Sequence, residues 1–349
     1  MWIGLAGWQE CAIFALRNDN VQNEMKTITG IGNALTDALV RVDDDKVLDA
    51  LGLPKGSMQL IDDGRLPAIR QAMESLSVSR STGGSAGNTT KALAHLSVHP
   101  GFIGKVGRDA TGSTFAQSAT AIGIEPRLAL SDKPSGVAHT FISTDGERTF
   151  GTYLGAAADL TADDLDADMF AGYDYLYIEG YLVQNHPMIL RAIELAHQQG
   201  LKICLDLASY NIVQDDHAFF EQILADAVDV VFANEEEARA FAGCEPSEAL
   251  ERLATLCEVA VVKLGKHGSS IMRGQEKVFV PSLPVEHVLD TTGAGDFYAA
   301  GVMFGLLQDW DIMRCAQAGS VLAAHVIQTI GTTLPDSEWN EIRQQVSAL

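Results

Sequence analysis

Basic residues are scarce in this chain: 24 Lys and Arg stand against 46 Asp and Glu, a net charge of −22 over 349 residues. A nucleic-acid surface needs a local Lys/Arg excess to neutralise phosphates, so nucleic acid is excluded as a partner class. A phosphorylated small molecule is not excluded, because backbone amides and a few cations can hold an anion locally. Cysteine is sparse as well. Cys11, Cys204, Cys244, Cys257 and Cys315 form no Cys-x-x-Cys pair, which argues against a zinc or dithiol centre and for reduced, buried thiols in a cytoplasmic protein. No Pro-rich linker divides the chain, and no run of about 20 apolar residues could cross a membrane. The longest apolar stretch, Met1 to Leu16, is broken by Gln9 and Glu10 and has no basic residue before it, so it reads as neither a signal peptide nor a span. A strand-like run follows Met25 directly, which places residues 1–24 as an N-terminal extension outside the fold.

What is present is an ordinary globular composition, 47% hydrophobic and 20% charged. From Lys26 onward, short β-rich runs alternate with longer amphipathic ones. That pattern predicts an α/β fold, a mostly parallel central sheet with helices on both faces, over residues 25–349. Ile28 to Gly32, Gly101 to Gly104, Tyr175 to Glu179, Leu201 to Asp206, Asp229 to Ala233 and Val259 to Lys263 have the length and apolarity of buried strands. Asn88 to Leu96, Pro187 to Gln199, Ala218 to Ala227, Gly295 to Leu307, Ile312 to Ile327 and Asp336 to Val346 read as helices. Strand residues without intervening helices mark two further segments, about 37–60 and 136–154. The second is folded back at Asp145-Gly146, a hairpin signal, and together they predict a small antiparallel sheet standing off the main one as a lid.

The strongest local signal is Asp290-Thr291-Thr292-Gly293-Ala294-Gly295-Asp296-Phe297, between the run Val285 to Leu289 and an apolar helix. Glycines at the mouth of a helix bring backbone amides close to a ligand, and the helix N-terminus favours negative charge there. Asp296 would repel a resting phosphate. If it instead takes a proton from a hydroxyl while the amides of Gly293, Ala294 and Gly295 hold the developing charge, both features serve one step. The alternative is a glycine turn with an ordinary helix-start acid. A P-loop is absent, since Gly104-Lys105-Val106 lacks the hydroxyl that would hold the metal. A dinucleotide fingerprint is absent too, because Leu35 and Tyr298 stand where a third glycine is needed.

Gly83-Gly84-Ser85-Ala86-Gly87-Asn88 is a second glycine turn opening a helix, suited to backbone contact with a polyhydroxylated ligand. Asn33 and Asp37 follow the first strand, at the edge where open α/β sheets bind ligands; Asp37 is either an acceptor for two sugar hydroxyls or a solvated loop acid. Asn234-Glu235-Glu236-Glu237 starts a helix after a strand. Asn234 and Glu237, one turn apart, could hold the waters of a magnesium ion, or the run is a solvated face that complements the helix dipole. Lys263-Leu264-Gly265-Lys266-His267-Gly268 suits a nucleotide's base or ribose, or is simply a hairpin. Arg148 would sit at the tip or edge of the lid, inert or able to meet a transferring phosphoryl group.

Taken in this order, the segments resemble the PfkB (ribokinase-like) family of carbohydrate and nucleoside kinases, from Lys26 to about Trp339. Gly83 to Asn88 with Gly104 and Gly107 is similar to the family's N-terminal signature, and Asp290 to Asp296 to its C-terminal one. The resemblance implies ATP and magnesium as cofactors, with a monovalent cation as a further candidate, and a small-molecule nucleoside or sugar as substrate for a monomer or homodimer. It makes Asp296 the base, Gly293 to Gly295 the anion hole, and Asn234 and Glu237 the Asn-x-x-Glu motif for magnesium and phosphates. Asn33, Asp37, Gly83, Gly84 and Asn88 fall on the sugar side, and Lys263, Gly265, Gly268 and Thr292 on the nucleotide side. Gly146 to Thr149, Leu154 to Ala158, Glu179-Gly180-Tyr181 and Gly331 to Pro335 are similar to segments of adenosine kinases. That branch gives Arg148 a transition-state role and sets Tyr181 to stack on a purine. Asp206-Leu207-Ala208-Ser209 lacks the asparagine of many sugar kinases, and Ser320 replaces a histidine of some adenosine kinases. The implied activity is phosphorylation of a primary hydroxyl, adenosine to AMP first and a ribose or fructose second. From another class, a catalytically silent nucleotide-binding regulator would keep the fold without turnover.

Overall fold

A computed structural model describes residues 25–74 and 76–349; the extension expected over 1–24 lies outside the described residues. The described residues form fourteen strands: β1 (Ile28–Ile31), β2 (Leu35–Arg41), β3 (Met58–Leu60), β4 (Ser79–Gly83), β5 (Gly101–Gly107), β6 (Glu125–Ser131), β7 (Gly136–Ile142), β8 (Arg148–Tyr153), β9 (Tyr175–Glu179), β10 (Lys202–Asp206), β11 (Val230–Asn234), β12 (Val259–Lys263), β13 (Ser269–Arg273) and β14 (Glu276–Val280). Nine of them make one sheet in the order β14-β13-β12-β11-β10-β9-β1-β5-β6. It is parallel from β6 to β12 and closes with the antiparallel strands β13 and β14. The central runs are continuously apolar because both faces are covered. One face buries Phe102, Tyr177 and Phe232 with Phe297, Leu322 and Trp339 of the C-terminal helices. The other buries Ile31, Ile178 and Val231 with Ile189, Phe220, Phe241 and Leu250.

The helix Ala294–Leu307 is apolar on nearly every side because it lies between the sheet and the helix Ile312–Val326. Its entry needs Gly293, whose φ of 75° lies in the left-handed region. Gly84, with φ 82°, opens the helix Ser85–His95, and a Cβ there would lie 2.3 Å from the Asn33 carbonyl oxygen. No described helix is long and apolar enough to cross a membrane.

The second sheet has the order β3-β8-β7-β2-β4. It is mixed rather than antiparallel. β2 pairs parallel with β7 and β3 parallel with β8, while β2–β4 and β7–β8 are antiparallel. The expectation of strands without intervening helices fails here too: Lys46–Leu51 and Leu66–Met73 are helical. They exist because one face of the small sheet is apolar, and Val40, Phe141 and Val137 bury against Leu48, Ile69 and Met73. Its other face looks across the carboxyl edge of the large sheet. Only residues 32–34 separate β1 from β2, so the lid begins three residues beyond the first core strand. The run Val285 to Leu289 forms no strand; Val288 and Leu289 are exposed.

Candidate active site

Four neighbouring parallel strands end on a polar residue: Glu179 closes β9, Asp206 closes β10, Asn234 closes β11 and Lys263 closes β12. Side chains at these carboxyl ends meet the lid sheet and the two glycine turns around one cavity of about 1010 Å³. β1 lies between β9 and β5, so the chain leaves it in opposite directions and a crevice opens there. Asn33, Asp37, Gly84, Asn88, Tyr181, Asn234, Glu237, Lys263, Thr292, Gly293, Gly295 and Asp296 all line this cavity.

Asp296 sits in the first turn of its helix with its carboxylate held on both oxygens. Ser85 Oγ donates to Oδ1 at 2.7 Å and Asn88 Nδ2 donates to Oδ2 at 2.9 Å. Burial pushes its carboxyl up to about 6, with Asp206 adding to the rise, while the bonds from Asn88 and Ser85 and the Lys263 ammonium hold it down. The Ala294 amide is spent on the Thr291 carbonyl at 3.2 Å and Ala294 does not line the cavity. The N–H groups of Gly293 and Gly295 have no protein acceptor among the described residues. The amides available to an anion are therefore these two rather than all three, because closing the turn uses the middle one.

At the end of β1, Asn33 Nδ2 donates to Glu179 Oε1 at 2.7 Å, and the Ala86 amide donates to Glu179 Oε2 at 3.0 Å. Gly32 lies against that carboxylate, since a Cβ there would stand 2.5 Å from Oε2. Asp37 is half-buried at the cavity wall and its carboxyl is raised by desolvation, against the Lys91 and Arg148 charges. Gly83 does not line the cavity. It backs Asp37, and a Cβ there would fall 2.3 Å from Asp37 Oδ1.

Arg148 is not at an exposed lid tip. It starts β8, its side chain is 10% exposed, and it pairs with the buried Asp290 while its Nη1 donates to Thr292 Oγ1 at 3.2 Å. Asp290 also accepts from the Thr292 and Gly331 amides. The lid is thus tied to the loop that carries the two free amides, and Arg148 Nη2 is buried without a partner among the described residues.

Asn234 and Glu237 face each other instead of presenting two free ligands. Asn234 Nδ2 donates to Glu237 Oε1 at 2.6 Å and the Asn234 amide to Oε2 at 2.8 Å, while Asn234 Oδ1 takes the Glu236 and Glu237 amides. This is a reciprocal helix cap, so Asn234 orients and Glu237 is the member with charge to offer. Lys263 Nζ pairs with Asp206 Oδ2 at 2.8 Å. Gly265 and Gly268 lie in the β12–β13 hairpin outside the cavity lining; Gly268 is required there because a Cβ would meet the Val280 carbonyl at 2.1 Å.

Sequence reasoning passed over Ser85, Glu179, Asp206 and Asp290 as site residues. The signal for Glu179 and Asp206 was available, since each is a carboxylate ending an apolar strand, as Asn234 and Lys263 are polar ends of theirs. Burial raises Glu179 to about 7, and burial with the neighbouring Asp206 raises Glu237 to about 7. The charged residues lining the cavity are Asp37, Glu179, Asp206, Glu237 and Asp296 against Lys263 alone. A carboxyl raised by folding contributes stability that is fully present below its unfolded value, near ~4.3 for Glu, and lost as pH climbs through its folded value, here about 7. Thermal unfolding of wild type and Glu179→Gln at about pH 5.5 and about pH 8 is expected to show the variant gaining on wild type at the higher pH, by about 2 kcal/mol. A gap that does not change with pH would mean Glu179 titrates as an ordinary carboxyl.

A description of the pfkB family carbohydrate kinases matches residues 59–340. This chain belongs to the pfkB family of carbohydrate kinases. It is a sugar or nucleoside kinase by family, and its relatives divide between those two acceptors. The 5-dehydro-2-deoxygluconokinase of Geobacillus kaustophilus is 27% identical over 277 residues, 74% of this chain and 83% of that protein. Adenosine kinase 2 of Arabidopsis thaliana is 27% identical over 88% of this chain and 96% of its own length. Among solved structures, a probable sugar kinase from Rhizobium etli CFN 42 superposes with a TM-score of 0.81 at 31% identity, covering 93% of this chain and 99% of that one. The adenosine kinase from Sinorhizobium meliloti superposes with a TM-score of 0.80 at 34% identity, covering 92% and 99%. The ribokinase-like α/β fold expected from the sequence is shared with these pfkB relatives.

Proposed function

We propose that this pfkB kinase transfers phosphate from ATP to the primary hydroxyl of a nucleoside, adenosine ahead of any free sugar. Asp296 takes the hydroxyl proton, with Asn88 and Ser85 keeping the carboxylate ionised and aimed. The Gly293 and Gly295 amides receive the phosphoryl oxygens, and Arg148, bonded to Asp290 and Thr292 and outside the cavity lining, acts on the same charge from behind Thr292 on the lid side. Magnesium fits the donor set because the cavity floor holds a surplus of buried carboxylates. Glu237, oriented by Asn234, would hold it through water, and the ion would neutralise phosphate charge. Lys263 and Thr292 lie on the phosphate side; Asn33, Asp37, Gly84 and Asn88 lie on the sugar side.

The choice of acceptor rests on one observation, an apolar rim above an acidic floor. Met58 and Leu60 on β3 are 56% and 61% exposed, and with Phe150, Leu182 and Tyr181 they face the cavity mouth. A flat base beneath them, stacked on Tyr181, would cover ~100 Å² of apolar surface, worth about 2–3 kcal/mol or roughly 50-fold in affinity. An acceptor with its own carboxylate, such as a gluconate, meets five acids and one already-paired lysine there. Asp37, able to accept two adjacent hydroxyls, serves a free ribose equally, so a neutral sugar is the second reading. The test is ADP release under identical Mg-ATP with adenosine, ribose, fructose and 5-dehydro-2-deoxygluconate, with and without potassium. Adenosine is expected to give the highest kcat/KM and the gluconate the lowest. The gluconate leading would overturn the nucleoside reading, and no ADP release with any acceptor would point to a silent regulator.

A further inference from the structure

Lys91 is 4% exposed on the helix Ser85–His95, inside a protein where most cations sit at the surface. Its Nζ donates to the Thr82 carbonyl at the lid's β4 and to Thr332 Oγ1, both at 2.8 Å. An ammonium can only donate. Thr332 therefore accepts from Lys91 and has its own proton to pass on, which it gives to Asn88 Oδ1 at 2.9 Å. With its oxygen committed to Thr332, the Asn88 amide must turn its Nδ2 toward Asp296 Oδ2, where the distance is 2.9 Å. The polarity of every bond in this chain is fixed by the charge at its far end.

We infer that Lys91 and Thr332 are positioning residues that fix the orientation of the Asn88 amide and, through it, the ionised state and aim of Asp296. The inference rests on the reading of Asp296 as the proton acceptor. Thr332 has a second contact that makes it suited to this place. It is 2% exposed, and its Cγ2 lies 2.5 Å from where a Cβ on Gly293 would stand, so one side chain supports the anion-binding turn and sets the Asn88 amide. Without the Lys91 ammonium, the Thr332 hydroxyl is free to donate elsewhere and Asn88 can reverse. A reversed amide presents Oδ1 to Asp296, and an oxygen facing a carboxyl favours its protonated form. Other charged groups act on Asp296 as well: Asp206 on β10, Glu179 on β9 and Lys263 on β12, besides Lys91 from its own helix neighbour. The relay is distinct from these because it acts through hydrogen-bond direction.

The test compares Thr332→Val, Thr332→Ser and Lys91→Met as full-length proteins, with kcat, KM for ATP and the pH dependence of kcat measured alongside melting temperature. Thr332→Val is expected to lower kcat by about 10- to 100-fold with KM for ATP little changed, and to move the acid limb of the profile to higher pH. Thr332→Ser keeps the hydroxyl and is expected to restore most of the turnover and the wild-type limb. Lys91→Met is expected to match Thr332→Val. Should Lys91→Met not fold, the valine and serine pair still decides. Equal impairment of serine and valine would overturn the inference, because the hydroxyl that serine keeps would then not be what the site depends on. A valine variant with wild-type kcat and limb would overturn it as well. Asp296→Asn is measured beside them: if it stays active, the base reading has failed, whereas an inactive Asp296→Asn beside a normal Thr332→Val means that the relay alone has failed.

Discussion

Asp296→Asn is expected to lower turnover by about 100- to 10,000-fold, the range that a positioned general base contributes, while ATP affinity stays within a few-fold. The expectation of a folded variant is geometric. An asparagine oxygen can take the bond from Asn88 Nδ2, and its NH₂ can donate to Ser85 Oγ, whose hydroxyl can turn to accept. The variant also removes a buried negative charge, so it should melt no lower than wild type near neutral pH. In the wild-type enzyme the base must be ionised, and with its carboxyl raised to about 6 the rate should fall on acidification through that value and level off above it. Steady-state kinetics with nucleotide titration checks all of this. Turnover within tenfold of wild type would remove Asp296 from the chemistry, and joint loss of turnover and ATP binding would assign it a structural role.

The second large effect is expected at Arg148. Arg148→Gln should lower kcat by about 100- to 1,000-fold, as loss of one preorganised donor to developing charge does, and it should also destabilise the protein. Removing one partner of a buried ion pair leaves the other uncompensated, at a cost of about 3–5 kcal/mol when burial is complete. Asp290 keeps the Thr292 and Gly331 amides, so the lower part of that range is expected. A double variant, Arg148→Gln with Asp290→Asn, separates the two contributions. It should recover stability without recovering turnover. Recovery of both would show that Arg148 only neutralises Asp290.

The glycine turns at Gly84 and Gly293 were legible because glycine readily adopts their left-handed backbone geometry ahead of a helix, and Asp296 followed from its place in that first turn. The polar strand ends Asn234 and Lys263 were legible as interruptions of apolar runs. Glu179 and Asp206 carry the same mark and were passed over because each is a lone acid in sequence; they become a set only when β9 to β12 lie side by side. Lys91 gave no signal. A lysine in a helix normally reads as solvated, and its burial depends on Thr332, 241 residues away in the chain. The parallel pairing of β2 with β7 was hidden for a similar reason, since parallel neighbours have no turn between them to announce the contact. Val285 to Leu289 has strand composition but finds no partner strand, and composition alone does not make a ladder.

The three-residue passage from β1 to β2 has a mechanical consequence. Gly32, Asn33 and Ala34 directly join that core strand to lid strand β2, so a swing of β2 would twist the same peptides that carry the Asn33 amide to Glu179. Gly32 packs its bare Cα against the Glu179 carboxylate, where a Cβ would stand 2.5 Å from Oε2. If Asn33 holds the acceptor as proposed, opening the lid at that pivot would loosen the grip on it, and seating the acceptor would stiffen the pivot.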